Sequence, residues 1–443
     1  MKLNLSSVCP LLFVGAASPV LMAGEGPAEG FLSAGTLTLN QRNFYFHRNL
    51  LNNPGGQNYR EEWAHGFMLD FVSGYTPGPV RFGVDAYAQL GLKLDSGRGR
   101  SGTNLMPVDS DGRAEDDFSE AGAAIKAKVS ETELKYGSLT PMNPVFGTGN
   151  ARLFTSTATG FQLTSQEIDD LTLDAGHFTA GSAGSSTSAD GPLTALYTYG
   201  VETRAADYVG AAYAAENGTN LALYASRFED VWKQYYANLG HTFTLSRQDR
   251  LGFDLNLYRT TDEGGQKAGE IDNTTWSLSS RYSHGPHSLT LAYQRVNGDE
   301  PFDYLGFGFE PGTSIWLANS VQVVDFNAPN ERSWQLRYDL DMAAFGVPGL
   351  SFMGRYVSGD HIDDSHYDGG PNGGQGAYGN YGTGGKRWER DIELRYVVQG
   401  GPAKDLSVRL RQATLRSSAQ VAAIDTADND EIRVILDYPL SLL

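Results

Sequence analysis

The stretch DLSVRLRQATLRS, residues 405–417, sets Arg409 and Arg411 two positions apart, with Leu406, Val408 and Leu410 at the alternate positions. Guanidinium groups spaced in this way suit one chemistry above others. Each offers a planar fork of N–H donors to a carboxylate, and a neighbouring fork takes up the same anion as the first releases it. Residues two apart on an extended strand lie roughly 7 Å from each other, where like charges in water repel by about 0.6 kcal/mol. A wet surface tolerates that repulsion and a dry core does not. The chain carries a formal net charge of −18, so the pair does not belong to a general basic surface, and the acidic balance argues against a nucleic-acid partner.

Other chemical patterns are weaker. GRGRSG (97–102) has the GxGxxG spacing, but no helical pattern follows it to hold a pyrophosphate, so it reads as a loop. DSDGRAEDD (109–117) and GDHIDDSHYDGG (359–370), the latter with His361 and His366, collect carboxylates. Neither has EF-hand or zincin spacing, so both read as solvated loops, with no metal and no cofactor expected. There is no G-x-S-x-G elbow, and no serine has a histidine and an aspartate at a diagnostic spacing. An enzyme is not expected. A hydrolase using a loop serine is the remote alternative, recognisable by peptide or ester cleavage that one serine substitution abolishes.

The elements that must position such arginines are short and extended. With 443 residues, 53 Gly, 23 Tyr and 21 Phe, the chain suits many strands and turns. MKLNLSSVCPLLFVGAASPVLMAG reads as a signal peptide over residues 1–23, leaving 24–443 as a single domain. The one cysteine, Cys9, falls inside that leader, so no disulfide is expected in the mature chain.

PVRFGVDAYAQLGLKL puts Val80, Phe82, Val84, Ala86, Ala88, Leu90 and Leu92 on one face, with Arg81, Asp85, Gln89 and Lys93 on the other. That is period two. RLGFDLNLY and TTWSLSSRY repeat it. Short turns are expected at 74–79, 130–132, 169–170, 216–219, 244–249, 284–286, 342–348 and 400–405. Long loops are expected at 47–61, 94–117, 140–160, 180–204, 260–272, 297–331, 359–387 and 417–430, and FEDVW (228–232) stands as a short link where a long loop is due. The count is eighteen strands, with 194–202 assigned to a loop rather than to a nineteenth strand.

Alternation alone does not say which face is wet. No apolar run after residue 25 is long enough for a membrane helix, yet a barrel strand needs only about 9 to 11 alternating residues. One-sided long loops, and Trp63, Trp276, Trp334 and Trp388 near strand ends, favour an all-β, transmembrane antiparallel barrel with its apolar face in lipid. The polar alternates then line a lumen rich in bases: Arg42, Arg81, Lys126, Lys128, Arg250, Arg281, Arg337, Arg355, Arg395, Arg409, Arg411 and Arg433. Two readings stand together, a track for carboxylates and simple balancing of Asp254, Asp339, Asp391, Glu393 and Asp437. The apolar segment 140–160, with Pro141, Pro144, Phe146, Arg152 and Phe154, either folds into the lumen or lies outside it.

RNFYFHR (42–48), EEWAHGF (61–67), FGVDAYAQLGLKLDSG (82–97), the run SVQVVDFNAPNERSWQLRYDLDMAAFGVPGLSF (320–352), YVVQGGPAKDLSVRLRQA (396–413) and the ending RVILDYPLSLL resemble the OprD family of substrate-specific outer-membrane porins. SVQVVDF and DYPLSLL look closest to the OprD-like branch, which handles basic amino acids. The resemblance implies an 18-stranded barrel in the bacterial outer membrane, narrowed by inward loops. It also implies passive uptake of small zwitterionic or anionic solutes such as amino acids or short peptides, with aromatic or other organic acids as the alternative cargo. Carried onto this sequence, the basic ladder falls on Arg395, Arg409, Arg411 and Arg433, with Arg152 on the constricting loop, and the pocket on Tyr304, Ser320 and Asp325. The expected partners are outer-membrane lipid and the solute, and the expected assembly is a monomeric pore or a weak trimer of such pores. Val323 and Val324 stand where members of the resembled family often have polar or aromatic residues, and Leu443 stands where a terminal Phe is common. A plugged, adhesive barrel is the third reading, distinguished by an absence of conductance.

Overall fold

Period-two alternation becomes eighteen antiparallel strands in the computed structural model, which describes residues 30–443 apart from 52, 54–55, 199, 368, 370–377 and 425–427. The expected leader and Cys9 lie outside the described residues. Each strand pairs with the next, and the first, Thr36–Leu50, pairs with the last, Asn429–Ser441, from Thr38↔Ser441 to Leu50↔Asn429. That last pairing closes the sheet and leaves no edge with unmet N–H and C=O groups.

The connections alternate as the sequence predicts. Tight links such as Ser130–Glu131 and Asp169–Asp170 face one end, and long ones such as 96–116 and 298–331 face the other. The exception at FEDVW persists, since only Glu229–Val231 join the strands Thr219–Phe228 and Trp232–Thr244. Helix is nearly absent among the described residues: Ala419–Ile424 makes one short turn of it, and no helix is long and apolar enough to cross a membrane.

Segment 194–202 is not a barrel strand: a short strand, Leu193–Ala195, runs into a 3-10 turn, Leu196–Thr198, and a second short strand begins at Glu202. Leu193–Ala195 pairs with Leu305–Phe307, and with Glu202–Thr203 and Glu310–Pro311 they form a separate four-stranded sheet. Its strands come from two long loops, 183–205 and 298–331.

The faces are inverted relative to a soluble protein. Phe82, Ile125, Val209 and Leu223 point outward, more than half exposed, while Gln234, Asn256, Ser277 and Gln294 point inward and are buried. Apolar area on this scale is stable only in contact with lipid. Trp63, Trp276, Trp334 and Trp388 all face outward within a few residues of the long-loop ends of their strands, and Tyr356 packs against both Trp334 and Trp388. Such a girdle marks the boundary between hydrocarbon and water.

Candidate functional site

Three long loops fold into the lumen and narrow it. In 140–156, Asn143 Oδ1 accepts the amides of Val145 (3.1 Å) and Phe146 (2.7 Å), forming a tight turn that pushes Phe146 into the wall. The Phe146 ring stacks 4.6 Å from Phe178 and meets Tyr208 and Phe228. The other end of the loop buries Leu153 and Phe154 against Phe44, Phe46 and Phe118. The segment thus bridges two parts of the wall, and burial of each aromatic contributes about 1.5–3 kcal/mol. The choice left open by the sequence is settled inward. Tyr258 ties this loop to 298–331: its hydroxyl donates to Pro144 O (3.0 Å) and accepts from Trp316 N (2.9 Å).

Strand register places the basic residues. Arg395 lies opposite Arg409, and Arg411 lies between Glu393 and Arg433. Glu393 meets Arg411 at 2.8 Å and Arg409 at 3.8 Å, Arg433 pairs with Glu431 at 2.6 Å, and Arg395 donates to Ser407 Oγ at 3.1 Å. Of the five acids proposed to balance the lumen, Asp391 is taken by Arg355 (2.5 Å), Asp437 by Arg42 (2.6 Å) and Asp339 by Arg337 (2.7 Å). Asp254 instead serves Asn238 and Asn256. Charge balancing is therefore present along the wall. On the strands Gly385–Val397 and Ser407–Ser417, however, Arg409 and Arg411 share a single partly exposed carboxylate, Glu393, while Arg395 meets the Ser407 hydroxyl.

Phe46, absent from the sequence-derived site, organises the upper part of this wall. The guanidiniums of Arg433, Arg152 and Arg48 lie 4.5, 5.6 and 5.2 Å from its ring centroid, each such contact contributing about 1–2 kcal/mol when sheltered. Arg152 itself donates to Thr103 O (2.9 Å), and its carbonyl accepts from Arg42 (2.8 Å). Its place beside Arg433 over one aromatic ring brings the loop arginine to the strand arginines.

Tyr304, Ser320 and Asp325 converge. Asp325 accepts from Ser320 Oγ (2.5 Å) and Tyr304 OH (2.9 Å), and a fourth residue, Tyr197, donates its hydroxyl at 2.7 Å. Tyr197 lies 128 residues away in another loop, inside the segment whose strand character was ambiguous, and no local pattern marks it. The carboxylate therefore joins loops 183–205 and 298–331 while anchoring the cluster. Beneath it, Asp303 Oδ1 accepts the amides of Tyr304 (2.7 Å) and Tyr197 (3.0 Å), fixing the backbone of both tyrosines. Burial pushes the Asp303 and Glu300 carboxyls up to about 7, and raises that of Glu310.

The base of the 320–325 segment is held by Glu389, which accepts the amides of Gln322, Val323 and Val324 at 2.9–3.1 Å. Gln322 donates to Glu431 (2.7 Å), and Arg433 donates to the Gln322 carbonyl (3.2 Å). One end of the basic row thus touches the segment that carries Ser320 and Asp325. Val324 is not a pocket contact: it is buried with Phe326, Val357 and Leu415. Val323 packs on the rim of the same cluster.

Asp109 closes a turn on the amides of Asp111 and Arg113, and among the described residues no three His, Cys, Asp or Glu side chains gather in a metal-binding group.

A family model described as "outer membrane porin, OprD family" matches residues 29–442. Porin D of Pseudomonas aeruginosa is 47% identical over 434 residues, which is 97% of this chain and 96% of that protein. The crystal structure of OprD from the same organism superposes with a TM-score of 0.81 at 46% identity, covering 94% of this chain and 98% of that one. That of P. aeruginosa OpdK with vanillate gives 0.81 at 36%, covering 93% and 100%. Closed barrel, inward loops and whole-length similarity agree: the chain belongs to the OprD family of outer-membrane porins, substrate-specific channels rather than enzymes.

Proposed function

We propose that this porin carries small solutes with both a carboxylate and a cationic group, basic amino acids or short peptides foremost. Asp325 receives the cationic end, and Arg433, Arg411, Arg409 and Arg395 receive the carboxylate in succession, with Arg152 flanking the entrance to the row. The single observation carrying this reading is the link between the two charge centres: Arg433 contacts the carbonyl of Gln322, three residues from Asp325. A solute that bridges the link meets an acid on one side and a base on the other. Arg409 and Arg411 share one carboxylate and so keep donors unsaturated, and weak repeated binding is what conduction requires. Each chain forms its own lumen, and we propose the monomer as the conducting unit.

Liposomes loaded with purified protein test the assignment. Lysine and arginine are expected to enter faster than benzoate or vanillate, and Asp325→Asn is expected to reverse that order. Equal entry of lysine and vanillate into wild-type liposomes would contradict it and favour the aromatic-acid alternative.

A further inference from the structure

The outer surface carries a charged row that the transport pathway does not use. Across five strands, Phe161, His177, Asp207, Arg227 and Lys233 lie opposite one another in register, all pointing outward. His177 Nδ1 meets Asp207 at 2.7 Å, and Arg227 Nε meets Glu263 at 2.9 Å. Lys233 is exposed and has no acid within ion-pair distance among the described residues. Directly opposed like charges such as Arg227↔Lys233 destabilise a strand pair unless an anion lies between them.

The next row down is apolar and uneven. Leu163, Ala175, Val209, Ala225 and Tyr235 are neighbours in register, and the two alanines leave a depression between larger side chains. Together the rows enclose a groove of ≈ 590 Å³ on the lipid side. Below Lys233, Tyr235, Leu239 and Phe243 continue the outward apolar band of the strand Trp232–Thr244. About nine tilted residues suffice to cross the hydrocarbon, so Lys233 stands at headgroup level on the long-loop side. The link Glu229–Val231 above it is the short one, so no long loop projects from these two strands over the row.

We propose that this groove is a binding site for one phosphate-bearing glycolipid of the outer leaflet, its phosphate between Arg227 and Lys233 and an acyl chain over Ala175 and Ala225. Guanidinium and ammonium supply charge-assisted donors, and the open depression takes methylene groups that a smooth wall would leave mobile. Asp207 stays compatible because His177 occupies it, and Glu263 because it also accepts the Asp230 amide.

Native mass spectrometry of the full barrel with diphosphoryl lipid A, and with its dephosphorylated form, tests the site. Wild type should retain the phosphorylated lipid about tenfold more tightly than the dephosphorylated one. Arg227→Gln with Lys233→Gln should remove that preference. Ala225→Leu, which fills the depression without touching charge, should weaken both lipids. Lys386→Gln, another exposed cation on the outer rim, should change nothing. Equal retention by wild type and the double variant, loss of preference in Lys386→Gln, or a shift in oligomeric state in place of lipid loss would each overturn the proposal.

Discussion

The arginine wall and the Asp325 pocket present opposite charge through opposite kinds of construction. The wall is written into strand register: Arg395, Arg409 and Arg411 sit where alternation puts them, the last two sharing one glutamate. The pocket is assembled from loops, one carboxylate holding hydroxyls that start as far apart as Tyr197 and Ser320. A register-built surface is redundant, since removing one arginine leaves neighbours in place. A loop-built pocket has one copy of each part, and its geometry depends on the loops staying docked. Damage to the pocket should therefore cost far more selectivity than equal damage to the wall.

The strongest way to break the contrast is to undock a loop. Phe146→Ala removes a buried aromatic that anchors 140–156, at a cost of about 3–5 kcal/mol. Single-channel recordings should show larger conductance with little substrate preference left, while the barrel keeps its β-sheet circular dichroism. Next comes Asp325→Asn, which preserves shape and removes charge: lysine flux should fall about tenfold, the equivalent of about 1.4 kcal/mol. Arg409→Ala with Arg411→Ala should lower the same flux about fivefold, near 1 kcal/mol as for a partly exposed ion pair. Either single substitution should lower it only about twofold.

The smallest expected effect is on pH. Asp303 and Glu300 have carboxyls raised to about 7 by burial in loop 298–331. The docked loop therefore binds protons that the released loop gives up, so docking is strongest below the ordinary carboxylate range and weakens as pH rises through about 7. Channel noise should increase from about pH 6 to about pH 8, and Asp303→Asn should flatten part of that rise. Noise that increases toward acid would contradict the assignment.

Much of the wall was legible in the sequence because a barrel strand obeys one local rule. Parity alone put Arg409, Arg411 and Arg433 inside, and Leu410 and Trp334 outside. The turns and loops were read from the stretches between alternating runs, and the short link at 229–231 stood out as the exception to the alternation of short and long connections. The residues for the acidic pocket came through family resemblance, and Tyr197 was missed because its partnership with Asp325 is a long-range loop contact with no periodic trace. Phe46 was overlooked for a different reason. An aromatic at an inward position of a wet lumen breaks the apolar-out pattern, a signal that had only to be asked what the ring faces: three guanidiniums. Segment 194–202 belongs to a loop, as assigned, and its strand-like look comes from two short pieces, Leu193–Ala195 and Glu202–Thr203, that pair in a sheet of the constriction.

The central claim is that one solute is held by both charge centres. Flux of lysine and of its decarboxylated amine, cadaverine, through wild type and the Arg409→Ala, Arg411→Ala double variant tests it most directly. The account predicts faster lysine than cadaverine in wild type, and a difference that collapses in the variant. A lysine preference that survives loss of both arginines, or that is absent from wild type, would contradict it.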